Sequence, residues 1–169
     1  MGNRDMSLAI RIALIAGTLD IGENIVFNAF RHITAKQIFQ YIASGLTGSW
    51  AFHAGAASVA LGVGIHYAIA LFWTAVYVAV SGRLDLLVRR PVVCGLAYGV
   101  VVYVVMNDVV LPLTRVPHAR AAATLASRVS GVLAILFCIG LTIALLTARA
   151  RLRPADKMAG RTTLAVRPS

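Results

Sequence analysis

Four long apolar runs, separated by short polar or basic stretches, organise the chain. They cover about 8–30, 54–80, 92–113 and 121–148. A helix needs about 20 mostly apolar residues to cross the hydrocarbon core of a bilayer, and each run is that long. Pro91 suits the first turn of the third run, where its missing N–H is not needed. A shorter pattern occupies about 34–46. There Ile38, Ile42 and Leu46 recur by fours, Phe39 widens the stripe, and Lys36, Gln37 and Gln40 lie away from it. Thr34 is a good N-cap, and Gly45 and Gly48 break the pattern before Trp50 and Phe52. This spacing predicts an amphipathic interfacial helix with aromatic anchors at the headgroup level. The alternative is a re-entrant segment lining a vestibule.

Composition narrows the class. Of 169 residues, 59% are hydrophobic and 13% charged, with a formal charge of +10. A soluble domain is about 25% charged, so a water-soluble globule, a disordered chain and a disulfide scaffold are excluded. The expected fold is all-α: a polytopic membrane four-helix bundle forming one domain over 1–150, with a basic, disordered tail over 151–169. That tail reads first as a topology anchor and second as a segment touching anionic lipid. Lys and Arg in the flanks set orientation. Eleven lie at the N-terminal end, between the second and third runs, and in the tail: Arg4, Arg11, Arg83, Arg89, Arg90, Arg149, Arg151, Arg153, Lys157, Arg161 and Arg167. Four lie on the opposite side, Arg31, Lys36, Arg115 and Arg120, while Arg128 falls within the fourth run. This bias places both termini in the cytoplasm. The cations form no basic stripe interleaved with aromatics, so nucleic acid is not an expected partner. Asp20, Glu23, Asn24 and Asn28 interrupt the first run, which therefore reads as a permanent span rather than a cleaved signal peptide.

The polar residues inside the runs carry the chemistry. A charged side chain at the bilayer centre costs about 2.5–3.5 kcal/mol on the milder scale, so it faces the interior and finds partners. Asp20, Asn24 and Asn28 repeat by fours in the first run, with Glu23 beside them. Ser58, Gly62 and His66 do so in the second, and Gly95, Gly99, Tyr103 and Asn107 in the third. Gly95 and Gly99 form a GxxxG pair that admits close helix approach. In the fourth run Thr124, Arg128, Gly131, Ile135, Cys138 and Thr142 make a continuous seam. Gly62, Gly95, Gly99 and Gly131 are the expected packing positions. At 1.5 Å per residue, Asp20 and His66 lie about 15 and 18 Å deep, and Glu23, Asp108 and Arg128 about 8–10 Å deep. The expected centre pairs Asp20 with His66, and above it Arg128 neutralises Glu23 and Asp108, with Asn24 or Asn107 donating hydrogen bonds. Three acids would face one obligate cation and one imidazole, leaving a site that a proton or cation must neutralise. Two functions follow: a small transport or sensing protein with a protonatable polar cluster, or a structural or accessory subunit whose cluster serves helix packing.

Other chemistries find less support. His53 and His66 are thirteen apart, a haem-like spacing, but His32 and His118 lie near the outer face and give His66 no histidine partner at its depth. His32, His53 and His118 form no metal-ligand motif. Cys94 and Cys138 differ in depth by roughly 10 Å, beyond disulfide reach. No nucleotide-binding, hydrolase or zinc-protease motif occurs. No catalytic residue, metal or cofactor is expected.

Four stretches carry a resemblance. They are Gly17-Thr18-Leu19-Asp20, Ile42-Ala43-Ser44-Gly45-Leu46 followed by Gly48, Leu61-Gly62 leading to His66-Tyr67 and Ile69-Ala70, and Tyr98-Gly99 leading to Met106-Asn107 and Val109–Leu113. Together they resemble a family of uncharacterised small four-helix bacterial inner-membrane proteins. The likeness covers the first three runs and the short helix, not the fourth run or the tail. It implies a bacterial cytoplasmic membrane and no particular activity. The lipid bilayer is the expected partner, with a homo-oligomer or a larger membrane complex beyond it. The charge bias makes a direct prediction: a fluorescent protein fused after the C-terminus lights up in cells, whereas one inserted after Arg115 and exported through the general secretory route stays dark. Reversed signals would invert the topology.

Overall fold

A computed structural model describes residues 2–116 and 125–152. His118, Arg120, the seam position Thr124 and the basic tail from Arg153 onward lie outside the described residues. The described chain forms α1 (Asn3–Ala29), α2 (Ala35–Thr47), α3 (Gly55–Ser81), α4 (Pro91–Leu113) and α5 (Leu125–Leu152). A 3₁₀ turn, Gly48–Phe52, joins α2 to α3, and a single helical turn, Leu86–Arg89, precedes α4. There is no strand among the described residues. Helices α3, α4 and α5 are each long and apolar enough to cross a membrane. At 27 residues α1 spans about 40 Å, but it carries Arg4, Asp5, Arg11, Asp20 and Glu23.

Local chemistry sets the ends. Thr34 and Gln37 form a capping box: Gln37 N–H donates to Thr34 Oγ1 at 3.4 Å, and Thr34 N–H donates to Gln37 Oε1 at 2.8 Å. The helix stops at Gly48, whose φ of +63° is left-handed and whose N–H reaches Ser44 O. Two helices contain a wide, π-type turn, Val105–Val110 in α4 and Ile135–Leu141 in α5. In the second, the Thr142 hydroxyl donates to Phe137 O at 3.0 Å, the same carbonyl that its own backbone N–H reaches across the wide turn.

The helices pack α1 on α3, α2 on α3, α4 on α5, and α1 on α5. Their core is small-residue rich: Ala9 and Ala16 of α1 and Ala144 of α5 cluster with Ile12, Tyr77, Val78, Val102, Ile139 and Ile143, and Ala13, Ala70, Thr74, Ala134 and Ala148 are buried as well. Large apolar side chains point outward instead. Leu14 and Val26 of α1, Phe72 of α3, Val93 of α4 and Phe137 of α5 are all half or more exposed. In water such a surface would be an extended apolar patch. In lipid it is the expected arrangement, because helices there gain little by hiding large side chains and associate through close backbone approach.

That approach is repeated along the contact between α4 and α5. A Cβ added at Gly95 would sit 2.7 Å from Ala144 Cβ and 2.9 Å from Gly140 O, and one at Gly99 would sit 2.8 Å from Leu136 Cα. Gly62 abuts the Phe39 carbonyl, bringing α2 onto the first half of α3. Gly131 differs: nothing lies within 4 Å of its added Cβ, so it is no packing position. Gly140 takes that role, against Gly95 O and Gly99.

Helix α2 also differs from its expected amphipathic pattern. Gln40, placed on the polar side by its spacing, is 5% exposed and donates to Ser58 Oγ at 3.4 Å, while Leu46 is 61% exposed. Gln40, Ala43 and Ser44 are buried together with Ile38 of the expected apolar stripe. On another side α2 meets the chain leaving α4, where Arg115 N–H donates to Gly45 O at 2.9 Å. Membrane packing again favours small residues over large ones at the contact. Overpacking costs about 1–3 kcal/mol, so Gly95→Ala and Gly140→Ala should each lower the thermal midpoint in detergent. Gly131→Ala should leave it unchanged or raise it, since Ala gains up to about 1 kcal/mol of helix propensity.

Candidate functional site

Helix α1 meets α3 and α5 through polar groups midway along its length. Gly17 creates the first contact. It lets α1 approach so closely that an added Cβ would sit 3.2 Å from the Tyr67 ring and from Ala70 Cβ. The His66 ring then donates from Nε2 to Gly17 O at 2.8 Å. A carbonyl oxygen only accepts, so this bond places the proton on Nε2 and leaves Nδ1 of the neutral ring as an acceptor. The Tyr67 ring stands edge-on to His66 with centroids 5.2 Å apart, and its hydroxyl shares a 2.9 Å hydrogen bond with Thr18 Oγ1.

One turn further along α1, Ser130 of α5 donates to Glu23 Oε1 at 2.6 Å. Asp20 lies between these two bridges, partly buried. It feels the charges of His66 and Glu23 yet forms no hydrogen bond with any described residue. Cys138 lies near Asp20 and Glu23 and is a free thiol, as is Cys94. Among the described residues no three His, Cys, Asp or Glu side chains converge so as to hold a metal ion. Chemically, the centre offers an open carboxylate, a second carboxylate held by one hydroxyl, and an imidazole with one free nitrogen.

The rest of the expected cluster is placed elsewhere. Arg128 is exposed and forms no ion pair with Glu23 or Asp108, and Asp108 is itself exposed. Asn24 is exposed and accepts from Asn28 Nδ2 through its own Oδ1 at 3.1 Å. Asn107 donates to Tyr103 O of its own helix at 2.9 Å. No Arg128 counter-ion layer therefore forms, and neither asparagine serves the acids. The reason is the rotation of α5. Its inward stripe here is Ser127, Ser130 and Ala134, about one residue away from the Arg128–Gly131–Ile135 seam that the sequence pattern suggested. Serine satisfies a carboxylate without burying a guanidinium, and a long Arg side chain reaches the membrane surface readily.

Ser127, Ser130 and Gly17 carry no charge and do not stand out in the sequence as site residues; a small-residue stripe at Ser127, Ser130 and Ala134 is the available signal. Arg151, in sequence one cation of a basic flank, bridges three helices. That side chain donates through Nε to Ser81 Oγ at 3.0 Å, and through its terminal nitrogen to Val78 O at 2.9 Å and Asp5 Oδ1 at 3.3 Å. One guanidinium thus ties α1, α3 and α5 together at the end far from Glu23. Near the other end, Arg31 donates to Ser127 Oγ at 2.6 Å.

These contacts separate bonded from bystander residues. Ser130→Ala strands the Glu23 carboxylate and should cost about 1–3 kcal/mol. Arg128→Ala should change stability by less than about 0.5 kcal/mol. Thermal unfolding of both variants in the same detergent checks the contrast.

No protein-family model, no curated protein and no solved structure matches the chain. What the polar centre does is read from its own geometry.

Proposed function

We propose that the chain is a multi-pass protein of the bacterial cytoplasmic membrane, crossing it four times with both termini inside. On this reading Asp20, Glu23 and His66 form the protonatable centre of a small transport or sensing protein. Support for α1 as the fourth span comes from its outward side, where Ile10, Leu14, Leu19 and Val26 are exposed. It comes also from its packing between α3 and α5. The basic residues between the runs support the orientation. The lipid bilayer is then the first partner.

The observation that carries the functional reading is Asp20. It lies partly buried near the middle of α1, beside an imidazole with a free Nδ1, and no described residue donates a hydrogen bond to it. An intramembrane acid without a donor or a paired cation needs a proton, a cation or water to neutralise or solvate it. Exchange of a proton between Asp20 and His66 is the simplest chemistry such a centre performs.

A second reading, an accessory subunit in a homo-oligomer or larger complex, is favoured by the two satisfied bridges, Ser130 to Glu23 and His66 to Gly17 O. There the polar groups serve as helix connectors only.

Proteoliposomes distinguish the two. The transport or sensing reading expects either pH- or cation-dependent flux, or a carboxylic-acid infrared band that titrates. Both signals should vanish in Asp20→Asn and survive in Arg128→Gln. The absence of flux and of a titrating Asp20 band in the wild-type protein would overturn it and leave the accessory reading.

A further inference from the structure

At the end of the helices that holds Arg151, a cleft of about 880 Å³ opens between α1, the C-terminal ends of α3 and α5, and the turn before α4. Arg4, Arg11, Arg89 and Arg151 line it, with Asp5 and Asp85 as its acids. Arg151 and Asp5 are occupied with each other and with α3. Arg4, Arg11 and Arg89 are exposed and form no hydrogen bond or ion pair with any described residue. Asp85 pairs with none of them. Arg4 and Arg11 are seven residues apart, two helical turns, and so share one side of α1. Three guanidinium groups with no partner among the described residues line one cleft, and Arg suits the oxygens of a phosphate.

The surface beside the cleft shows which phosphate. A shallow groove on α1 alone shares Asn3, Ser7 and Arg11 with the cleft and continues over Met6 and Ile10. Those two side chains are 45% and 43% exposed on the outward apolar surface. Arg11 stands at the junction, lining both spaces. A soluble phosphate would use the cleft and leave the groove empty. A molecule with an anionic head and an apolar tail fills both.

We infer that this cleft and groove form a binding site for an anionic glycerophospholipid, its phosphate between Arg4, Arg11 and Arg89 and the start of an acyl chain along Met6 and Ile10. The inference rests on the four-span reading, which sets α1 in the bilayer with this end among cytoplasmic-leaflet headgroups, and is independent of the Asp20 centre. Basic clefts between membrane helices are suited to such lipids.

Native mass spectrometry of the full chain in detergent tests it, with phosphatidylglycerol, phosphatidylcholine or inorganic phosphate added in separate arms. Phosphatidylglycerol should be retained in preference to phosphatidylcholine. Loss of each arginine should weaken it about fivefold, so Arg4→Gln/Arg11→Gln should bind about twenty-five-fold more weakly. Arg11→Lys should keep most of the binding, which separates lost charge from lost fold, and Arg128→Gln should keep all of it. Met6→Ser/Ile10→Ser should weaken the lipid and leave inorganic phosphate unaffected. Equal retention of phosphatidylcholine, or undiminished phosphatidylglycerol binding in the double arginine variant, would overturn the inference. So would inorganic phosphate binding as tightly as the lipid, which would assign the cleft to a soluble anion. The fluorescent-protein fusions separate these outcomes from a failure of the four-span reading itself.

Discussion

Two backbones in contact organise this molecule. Where Gly95 and Gly99 of α4 meet Leu136, Gly140 and Ala144 of α5, backbone lies largely against backbone. In lipid, burying a leucine between helices gains little, because the lipid is as apolar as the leucine. What remains is dispersion, and dispersion grows with the number of atoms brought into contact. Glycine and alanine bring whole backbones together, and the large residues are left to face the acyl chains. The same logic seats Gly62 on Phe39 and Gly17 on Tyr67. A core that would be poor in water is a good one in this solvent.

Helix α1 needs more than small residues. It is the most polar of the long helices, and hydrogen bonds join it to its neighbours along its whole length. Asp5 meets Arg151 at one end, Gly17 O meets His66 in the middle, Glu23 meets Ser130 beyond it, and Arg31 just past its last turn meets Ser127. Each of these contacts in α1 engages a different neighbour or level, so they set its rotation and its height as well as its adhesion. Among the described residues Asp20 is the acid of α1 left outside this system. The distinction between fastening groups and the unfastened one is what gives the centre its chemical interest.

Much of this was legible in the sequence, for identifiable reasons. Long apolar runs bounded by Pro91, Gly82 or basic residues mark helices well, and α3 and α4 begin and end within about a residue of their runs. The GxxxG pair at Gly95 and Gly99 announces a close contact because few other residues permit one. The phase of α5 was not legible. Arg128 draws attention as the charge inside an apolar run, and pairing it inward moves the whole stripe by one position. The serines that do face α1 carry no charge and look like ordinary small residues. Gln40 misleads in the same way. By polarity it belongs outside, yet a single partner at Ser58 makes it a buried residue. Arg128 departs from the tendency of intramembrane charges to face inward, and Gln40 from the tendency of polar groups to face outward.

The wide turns in α4 and α5 bear on how these helices are tied together in register. A wide turn holds about one residue more than the α-helical turn it replaces, so the stretches before and after it keep separate angular settings. In α5 one setting presents Ser127 and Ser130 to α1, and the other presents Gly140 and Ala144 to α4. A uniform helix of the same sequence would turn one half by about 100° relative to the other. It could then satisfy one neighbour only. The extra residue acts as a dislocation that lets a single rod serve two partners lying in different directions.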